Sequence, residues 1–538
     1  MKQITRSLAV LAVALAATLS ACSASPSSNT SGTPAANGSG SYVTDGTYTE
    51  TMVSDPGSLD PQLSIVSGAF EMGGFAYDTI VGISPTGDVL PQLAKSWTDD
   101  GTSATFTLND GITCSDGSTL TAQTVADNIN WVENTDNASP FLGTFLPAGI
   151  TASADNTTNI VTFDLSVPAP FLLQSIANLP IVCDAGLADR SQLTSATIGS
   201  GPYELTQAVP NDHYTYTRRD GYTWGPDGAT TATQGMPKTI TVQIVPNEST
   251  AVNLLLAGSV NMVTTTGPDG ARAQAAGLSS INVPANLGYT WYNHADGHPT
   301  ADANVRQALT QAINYDDLAT AITGNTGSRA TALAVLPPTT CSYDSVSGNV
   351  SPYDLQGVDT ALQAAGYSKT TDNKFAKDGQ PLTINFLYDS VLGTTGDAAA
   401  ELATQDWQAA GITVNTQSMA TAQMSAALFG TDTPWDVAWE PINVNSPDQM
   451  MAFFSGPGPA DGGSNLSLID NQTYNNAVAE AMTKTGQDAC TAFQQAEASL
   501  FTANDFIAWA VRVNPIYLSK VEYVYVGRTQ PTGLRMLA

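Results

Sequence analysis

The most informative segment of the chain is GDVLPQLAKSW, residues 87–97, in which a glycine turn leads into apolar positions and a tryptophan. Further short motifs follow at close spacing: DDG at 99–101, FTL at 106–108, GI at 111–112, DGS at 116–118 and LTA at 120–122. Several of these residues have a structural explanation, since Gly117 suits a turn with positive φ and Trp97 and Phe106 are expected to fill a core. The series therefore identifies a fold rather than a substrate.

Similar motifs continue outward on both sides of this segment. LDP at 59–61 and AYDTIV at 76–81 precede it, and GSGPY at 199–203, VRQAL at 305–309, AGY at 365–367, DGQPL at 378–382 and WDV at 435–437 are among those that follow. Taken in order, the motifs run from residue 48 to 526 and resemble the peptide/nickel/opine family of ABC-transporter substrate-binding proteins. Gly201 and Gly366 are expected to need positive φ, and Arg306 is expected to pair with a carboxylate.

The resemblance implies an α/β, bilobal periplasmic-binding-protein-like fold (type II, or Venus flytrap) with an extra inserted domain. Residues 43–84, 198–289 and 510–538 would form lobe I, residues 85–197 the inserted domain and residues 290–509 lobe II. In this family a ligand that touches both lobes favours their closure, and a membrane permease recognises the closed form.

The local pattern agrees with a mixed chain. Period-two alternation predicts strands at 104–108, 160–165, 213–217, 240–245 and 382–387. Thr121 and Asp302 are predicted N-caps, and further helices are expected at 359–365, 398–410 and 489–501. Interleaved strands and helices favour α/β domains over a sandwich or a bundle.

The first residues predict export. A short basic region precedes an apolar run at 8–19, which is typical of a signal peptide and too short to span a bilayer as a mature helix. The run ends in LSAC, which resembles the lipobox of bacterial lipoproteins and implies a signal peptide at 1–21 with lipidation of Cys22. Residues 22–42, rich in Ser, Gly and Thr, are expected to be a flexible tether. We expect a lipid-anchored protein at the outer face of the cytoplasmic membrane, which is the cell surface in a Gram-positive bacterium.

Charge excludes one class of partner. The 538 residues include 48 acidic and 18 basic ones, a net charge of −30, so a phosphate backbone would be repelled and nucleic-acid binding is not expected. The cysteines other than Cys22 are too widely spaced for a zinc site. They leave open up to two disulfides, in three full pairings, or buried free thiols; these cysteines are Cys114, Cys183, Cys341 and Cys490.

The resemblance places the ligand between two segments, 64–70 and 438–445. The candidate contacts are Ser67, Gly68, Ala69 and Phe70 in the first, and Trp439, Glu440, Asn443 and Asn445 in the second. Gly68 would allow a close main-chain approach and Trp439 a broad apolar contact, although Ser67 and Gly68 equally fit a simple loop.

One position departs from the family. Peptide-binding relatives commonly have an aspartate three residues after this tryptophan, where it pairs with the ligand's amino terminus, but the chain has Ile442 there. Because an unpaired buried ammonium is costly, Glu440 or Asp448 would have to supply the carboxylate. Otherwise the ligand lacks a cationic end, and Asn443 and Asn445 suit hydroxyl or amide groups.

These features predict a transport receptor with no chemistry of its own. We expect a monomer that captures an oligopeptide or dipeptide for an ABC permease and ATPase complex, without a cofactor or metal. His294 and His298 are four residues apart, but the Asp, Gly and Pro around them predict a loop. The alternatives are a receptor for an oligosaccharide or opine-like compound and a signalling lipoprotein. An exported hydrolase is disfavoured by the absence of hydrolase motifs.

Overall fold

The computed structural model describes residues 41–64, 67–265, 267–430 and 433–538, without the side chains of Ser67 and Ala422. The predicted signal peptide, the lipidation site Cys22 and all but the last two residues of the predicted tether lie outside this part of the chain. So do Ile65 and Val66 of the first predicted contact segment.

Strands occur along the whole described chain and are numbered in order. They are β1 (Thr47–Met52), β2 (Val81–Ile83), β3 (Val89–Pro91), β4 (Ala94–Asp99), β5 (Ser103–Leu108), β6 (Ile150–Asp155), β7 (Ile160–Leu165), β8 (Tyr203–Val209), β9 (His213–Arg218), β10 (Thr239–Ile244), β11 (Met262–Thr264), β12 (Ser279–Tyr292), β13 (Gly327–Ser328), β14 (Ser368–Lys369), β15 (Phe375–Lys377), β16 (Gln380–Pro381), β17 (Thr383–Asp389), β18 (Thr413–Met419), β19 (Val437–Trp439), β20 (Phe506–Leu518), β21 (Val521–Glu522) and β22 (Arg535–Met536).

The α-helices alternate with these strands. They are α1 (Ser67–Ala76), α2 (Ala122–Glu133), α3 (Leu172–Ile176), α4 (Asp184–Ala188), α5 (Glu248–Leu256), α6 (Gly270–Ala275), α7 (Ala303–Gln311), α8 (Tyr315–Thr323), α9 (Leu355–Ala364), α10 (Gly393–Ala409), α11 (Thr421–Phe429), α12 (Met451–Phe454), α13 (Gln472–Ala481) and α14 (Gly486–Thr502). No helix in the described ranges is both long and apolar enough to cross a bilayer.

The largest sheet of the described chain has eleven strands in the order β18-β17-β19-β12-β20-β11-β1-β10-β9-β8, with β13 beside β20. β17 is parallel to both β18 and β19, and β1 is parallel to β10. β12 and β20, of 14 and 13 residues, pair antiparallel almost from end to end. At about 3.3 Å per residue, such a pair runs for roughly 45 Å through the middle of the sheet.

The hydrophobic core is divided. One cluster lies around β17, β18 and β19 and helices α7–α10, a second around β1, β8, β9 and β10 with α1, and a third between α2 and the four-stranded sheet β4-β5-β7-β6. This arrangement is compatible with the predicted lobe II, lobe I and inserted domain, whose boundaries remain a prediction.

Most local expectations are confirmed. All five predicted strands are present within two residues of their expected ends. Thr121 caps α2 by accepting from the Thr124 amide, and Asp302 caps α7 by accepting from the Asn304 amide. Helices α9 and α10 begin earlier than predicted, α9 because the side chain of Asp354 caps it.

Two glycines illustrate different requirements. Gly117 has a φ of +85°, as predicted. The prediction for Gly201 is wrong, because its φ is not positive; a Cβ there would instead lie 2.4 Å from the carbonyl carbon of Ala76. Close approach of two backbones, rather than turn geometry, therefore requires glycine at 201.

The structure settles the question of cysteine pairing that the sequence left open. Cys114 is bonded to Cys183 and Cys341 to Cys490, so the alternative of free thiols is wrong. The second bond ties the segment between β13 and α9 to helix α14.

Arg306 confirms its predicted role. Its Nη2 donates to Asp505 at 2.8 Å, and its other donors reach the carbonyls of Thr300, Ala301 and Asn504. A buried guanidinium with this many acceptors fixes α7 against the start of β20.

Candidate functional site

Two carboxyl groups lie side by side where two parallel strands end. β17 and β19 pair with Tyr388 opposite Trp439, so the next residues, Asp389 and Glu440, occupy neighbouring positions. Because α/β sheets bind ligands at the carboxyl ends of parallel strands, this edge is the candidate functional site.

The two acids have few partners. Asp389 is fully buried, and its Oδ1 accepts hydrogen bonds from the Val391 amide at 2.7 Å and the Thr421 hydroxyl at 3.0 Å. Oδ2 of Asp389 and Oε2 of Glu440 are buried, and no described residue outside the pair donates a hydrogen bond to either oxygen. Burial, reinforced by the charge and hydrogen bond of Asp389, raises the pKa of Glu440 to about 8.

This arrangement has a chemical consequence. Neither carboxyl forms an ion pair with a described lysine, arginine or histidine. A buried and a half-buried carboxylate without a counter-ion repel each other, so the pair has to hold a proton or accept a cation. It is therefore suited to receiving an ammonium group.

Trp439 lies beneath this edge as part of the core. Only 1% of its surface is exposed, and its indole N–H donates to the Thr290 hydroxyl at 3.0 Å. Its ring packs against Phe386 and Trp509, with ring centroids 4.7 and 4.9 Å away. In this conformation the tryptophan supports the strand ends and presents no open face to a ligand.

The two predicted contacts Asn443 and Asn445 lie on a segment that forms hydrogen bonds with two other parts of the chain. The side chain of Asn443 accepts from the amide of Asn286 at 2.6 Å and donates to the carbonyl of the same residue. The carbonyl of Asn445 accepts from the Thr340 amide at 2.9 Å. Asn443 is exposed and Asn445 half-buried, so both remain candidate contacts.

Glu440 and Asp448, the two residues that could replace the missing aspartate, have different surroundings. Ile442 packs against an apolar cluster, and Asp448 accepts a hydrogen bond from the Ser446 hydroxyl. Burial raises the pKa of Asp448, and no other acid of the described chain contributes to that shift. Glu440 is the better placed of the two, because it lies beside Asp389.

The candidate contacts of the first predicted segment, residues 67–70, form the first turn of helix α1. The interpretation of Ser67 and Gly68 as a loop is therefore wrong. A Cβ at Gly68 would lie 2.8 Å from the sulfur of Met52. Ala69 is buried. Phe70 is half-buried: its ring stacks on Phe145 at 5.9 Å and lies under the guanidinium of Arg528 at 4.8 Å.

A third segment links the two predicted ones. Phe145 contacts Phe70, and the carbonyl of its neighbour Thr144 accepts a 3.5 Å hydrogen bond from Gln449. Oε1 of Gln449 in turn accepts from the Asn445 amide at 3.3 Å. No described hydrogen bond joins residues 67–70 directly to 439–445. The sequence did not identify Phe145 or Arg528, and it missed Asp389 although a strand was predicted to end two residues before it.

The histidines occupy a loop, as predicted. His298 pairs with Asp436 at 2.8 Å, and burial lowers the pKa of His294 to about 3. The described residues contain no group of three or more His, Cys, Asp or Glu side chains placed to hold a metal ion.

Comparison with known proteins gives the family. A model of the bacterial extracellular solute-binding proteins, family 5, matches residues 88–462. The dipeptide-binding protein of Escherichia coli is 26% identical over 71% of this chain and 73% of its own length, and the nickel-binding periplasmic protein of E. coli is 27% identical over 63% and 64%.

Solved structures agree on the fold. The ABC transporter substrate-binding protein CtaP of Listeria monocytogenes superposes with a TM-score of 0.75 over 92% of this chain and all of its own, at 18% identity. The expected α/β bilobal type II fold is thereby confirmed. The chain is an extracytoplasmic solute-binding protein of an ABC importer of the peptide/nickel type. It belongs to family 5 of the bacterial extracellular solute-binding proteins.

Proposed function

We propose that the protein captures a short peptide by closure of its two lobes and delivers it to an ABC permease, while lipid on Cys22 holds it at the membrane. The observation that carries the peptide assignment is the pair formed by Asp389 and Glu440. It supplies the acidic group that Ile442 does not.

The ligand's amino terminus enters between the two carboxyls. Each acid keeps one buried oxygen to which no residue outside the pair donates, and an ammonium group offers three N–H donors on a single positive charge. In the free protein Glu440 holds a proton, because its pKa is raised to about 8. Binding of the ammonium replaces that proton, and the remaining negative charges gain a counter-ion.

The rest of the ligand lies along the segment 439–445. Its exposed and half-buried asparagines offer amide donors and acceptors to a peptide main chain. Phe70 and Phe145 form the apolar part of the opposite wall. The long pair β12 and β20 connects the two sides and is the natural hinge for closure.

The test of the peptide assignment is titration calorimetry with di- and tripeptides and with their N-acetylated forms. Free peptides are expected to bind, and acetylation is expected to weaken binding about a hundredfold, because it removes the charge. Glu440→Gln and Asp389→Asn should each lose this preference, whereas Asp110→Asn, at a carboxyl whose side chain is 86% exposed, should keep it. Equal binding of acetylated and free peptides would refute the ammonium site, and binding of sugars but no peptides would refute the peptide assignment.

Lobe closure is tested separately by small-angle X-ray scattering. Saturation with a bound peptide should reduce the radius of gyration of the wild-type protein. An unchanged radius at full occupancy contradicts closure, whatever the ligand.

The anchor is tested in cells. Cys22→Ser should abolish labelling with radioactive palmitate and release the protein into the medium or periplasm. Persistent labelling of this variant would exclude Cys22 as the site of lipidation.

A further inference from the structure

A cavity lies between the start of α8 and the segment 346–353. It has a volume of about 440 Å³. Its lining includes Tyr315, Asp316, Arg329, Val346, Ser347 and Tyr353. None of the residues that line it belongs to the candidate site described above.

Arg329 is held in this cavity by two contacts. Its guanidinium carbon lies 5.5 Å from the ring centroid of Tyr315, and its Nη1 donates to Asp316 at 2.9 Å. Tyr315 is itself fixed, since its ring packs at 6.0 Å on Trp509 in the core. The side chain of Arg329 therefore has a defined orientation.

One edge of that guanidinium remains unused. Nε of Arg329 is buried and donates to no acceptor in the described chain, and Nη2 forms no hydrogen bond there either. A buried N–H without an acceptor is unfavourable. Nε and Nη2 of an arginine together form the fork that matches the two oxygens of a carboxylate.

The rest of the cavity wall is suited to the uncharged part of a ligand. Val346 is buried, and Tyr353 is 52% exposed at the rim, so the cavity combines one cationic edge with apolar and aromatic surface. The acid on this wall, Asp316, has a side chain 78% exposed and already paired with Arg329, so solvent screens its repulsion of an incoming anion.

We propose that this cavity is a second ligand site, which binds a small carboxylate with an apolar or aromatic body. The carboxylate accepts from Nη2 of Arg329 and, once the guanidinium turns its buried Nε edge towards the cavity, from Nε as well. The body lies between Val346 and the ring of Tyr353. Its preference is opposite in sign to that of the acidic pair, which receives a cation.

The test uses benzoate as the probe, followed by saturation-transfer NMR and calorimetry on the wild-type protein. For so small a ligand we expect a dissociation constant of about a millimolar. Benzamide, which keeps the ring and loses the charge, should bind at least tenfold more weakly. Saturating peptide should leave benzoate binding in place, because the two sites do not share residues.

Variants assign the site. Arg329→Gln should reduce benzoate affinity at least tenfold, and Arg329→Lys, which keeps the charge without the fork, should also weaken it. The matched control is Arg272→Gln, which removes another surface arginine paired with an aspartate, Asp269 at 2.9 Å, outside the cavity. Melting curves establish that each variant is folded. Absence of benzoate binding up to about 10 mM, or equal losses in the Arg329 and Arg272 variants, would overturn the proposal.

Discussion

Asp78 and the pair Asp389–Glu440 are all removed from most contact with solvent, yet their surroundings differ completely. Asp78 accepts four hydrogen bonds, from Gln92, Ser200, Tyr222 and Trp224, at distances of 2.8–2.9 Å. Asp389 receives two donors on one oxygen and none on the other, and Glu440 keeps a buried oxygen without any. Burial raises the pKa of both Asp78 and Glu440, so the pKa alone does not distinguish them.

The difference lies in the number of donors. The donors to Asp78 come from separate parts of the chain, so this carboxyl joins the segment between β3 and β4, the loop before β8 and the segment after β9. The acidic pair joins its own strand ends and, through Thr421, the start of α11, and it leaves acceptor capacity unused. A satisfied buried acid is structural, whereas an unsatisfied pair at a strand edge is available to a ligand.

The largest effect is expected from Asp78→Ala. Four donors would lose their acceptor inside the protein, so the free energy of unfolding should fall by about 4 kcal/mol in urea denaturation. Asp110→Ala, at an exposed carboxyl, should change it by less than about 0.5 kcal/mol. A loss at Asp78 no larger than at Asp110 would remove the structural side of the comparison.

Glu497 tests an intermediate case, a buried acid with three donors and no cation. Ser345, Tyr343 and the Leu333 amide donate to it, and burial raises its pKa to about 7. The folded protein therefore binds this proton more tightly than the unfolded chain, and the stability so gained is lost as the pH rises through 7. Between pH 5 and 8 we expect a loss of about 3 kcal/mol from this group.

The measurement is denaturation at several pH values. Glu497→Gln should reduce the slope. The slope that remains comes from other carboxyls whose pKa is raised by burial, among them Glu440, Asp78 and Asp448, which contribute with the same sign. An unchanged slope in the glutamine variant would contradict the assignment of the slope to Glu497.

The variant Trp439→Phe tests whether Trp439 only supports the strand ends or also contacts the ligand. The variant keeps an aromatic ring in the core but loses the N–H bond to Thr290, so we expect the protein to lose about 1.5 kcal/mol of stability. Peptide affinity should change by less than threefold, which calorimetry can measure. A tenfold loss of affinity in a folded variant would show that the indole contacts the ligand directly.

The smallest effect is expected from Asp389→Asn, and it has the opposite sign. Removing one of two facing acids relieves their repulsion, so stability above pH 8 should rise by about 1 kcal/mol while peptide binding weakens. A protein that loses both stability and binding would place Asp389 with Asp78 among the structural acids.

Local structure was readable from the sequence, and the site only in part. Thr121 and Asp302 were identified as caps because capping depends on residues within one turn. Glu440 was named as a candidate, but Asp389 is 51 residues away, and its position beside Glu440 depends on the pairing of β17 with β19. The expectation of a positive φ at Gly201 is wrong for the same reason, since the backbone that requires a glycine there belongs to a distant segment, at Ala76. Strand order and backbone contact are long-range properties that no local pattern encodes.

The position of β20 has a consequence for how the protein is made. This strand lies between β12 and β11 in the middle of the large sheet, yet every other strand of that sheet precedes it in the chain. Until residue 518 has been synthesised and translocated, the sheet is two separate halves with open edges. Completion of the sheet must therefore follow secretion of nearly the whole chain, and the two halves need protection from aggregation during that interval.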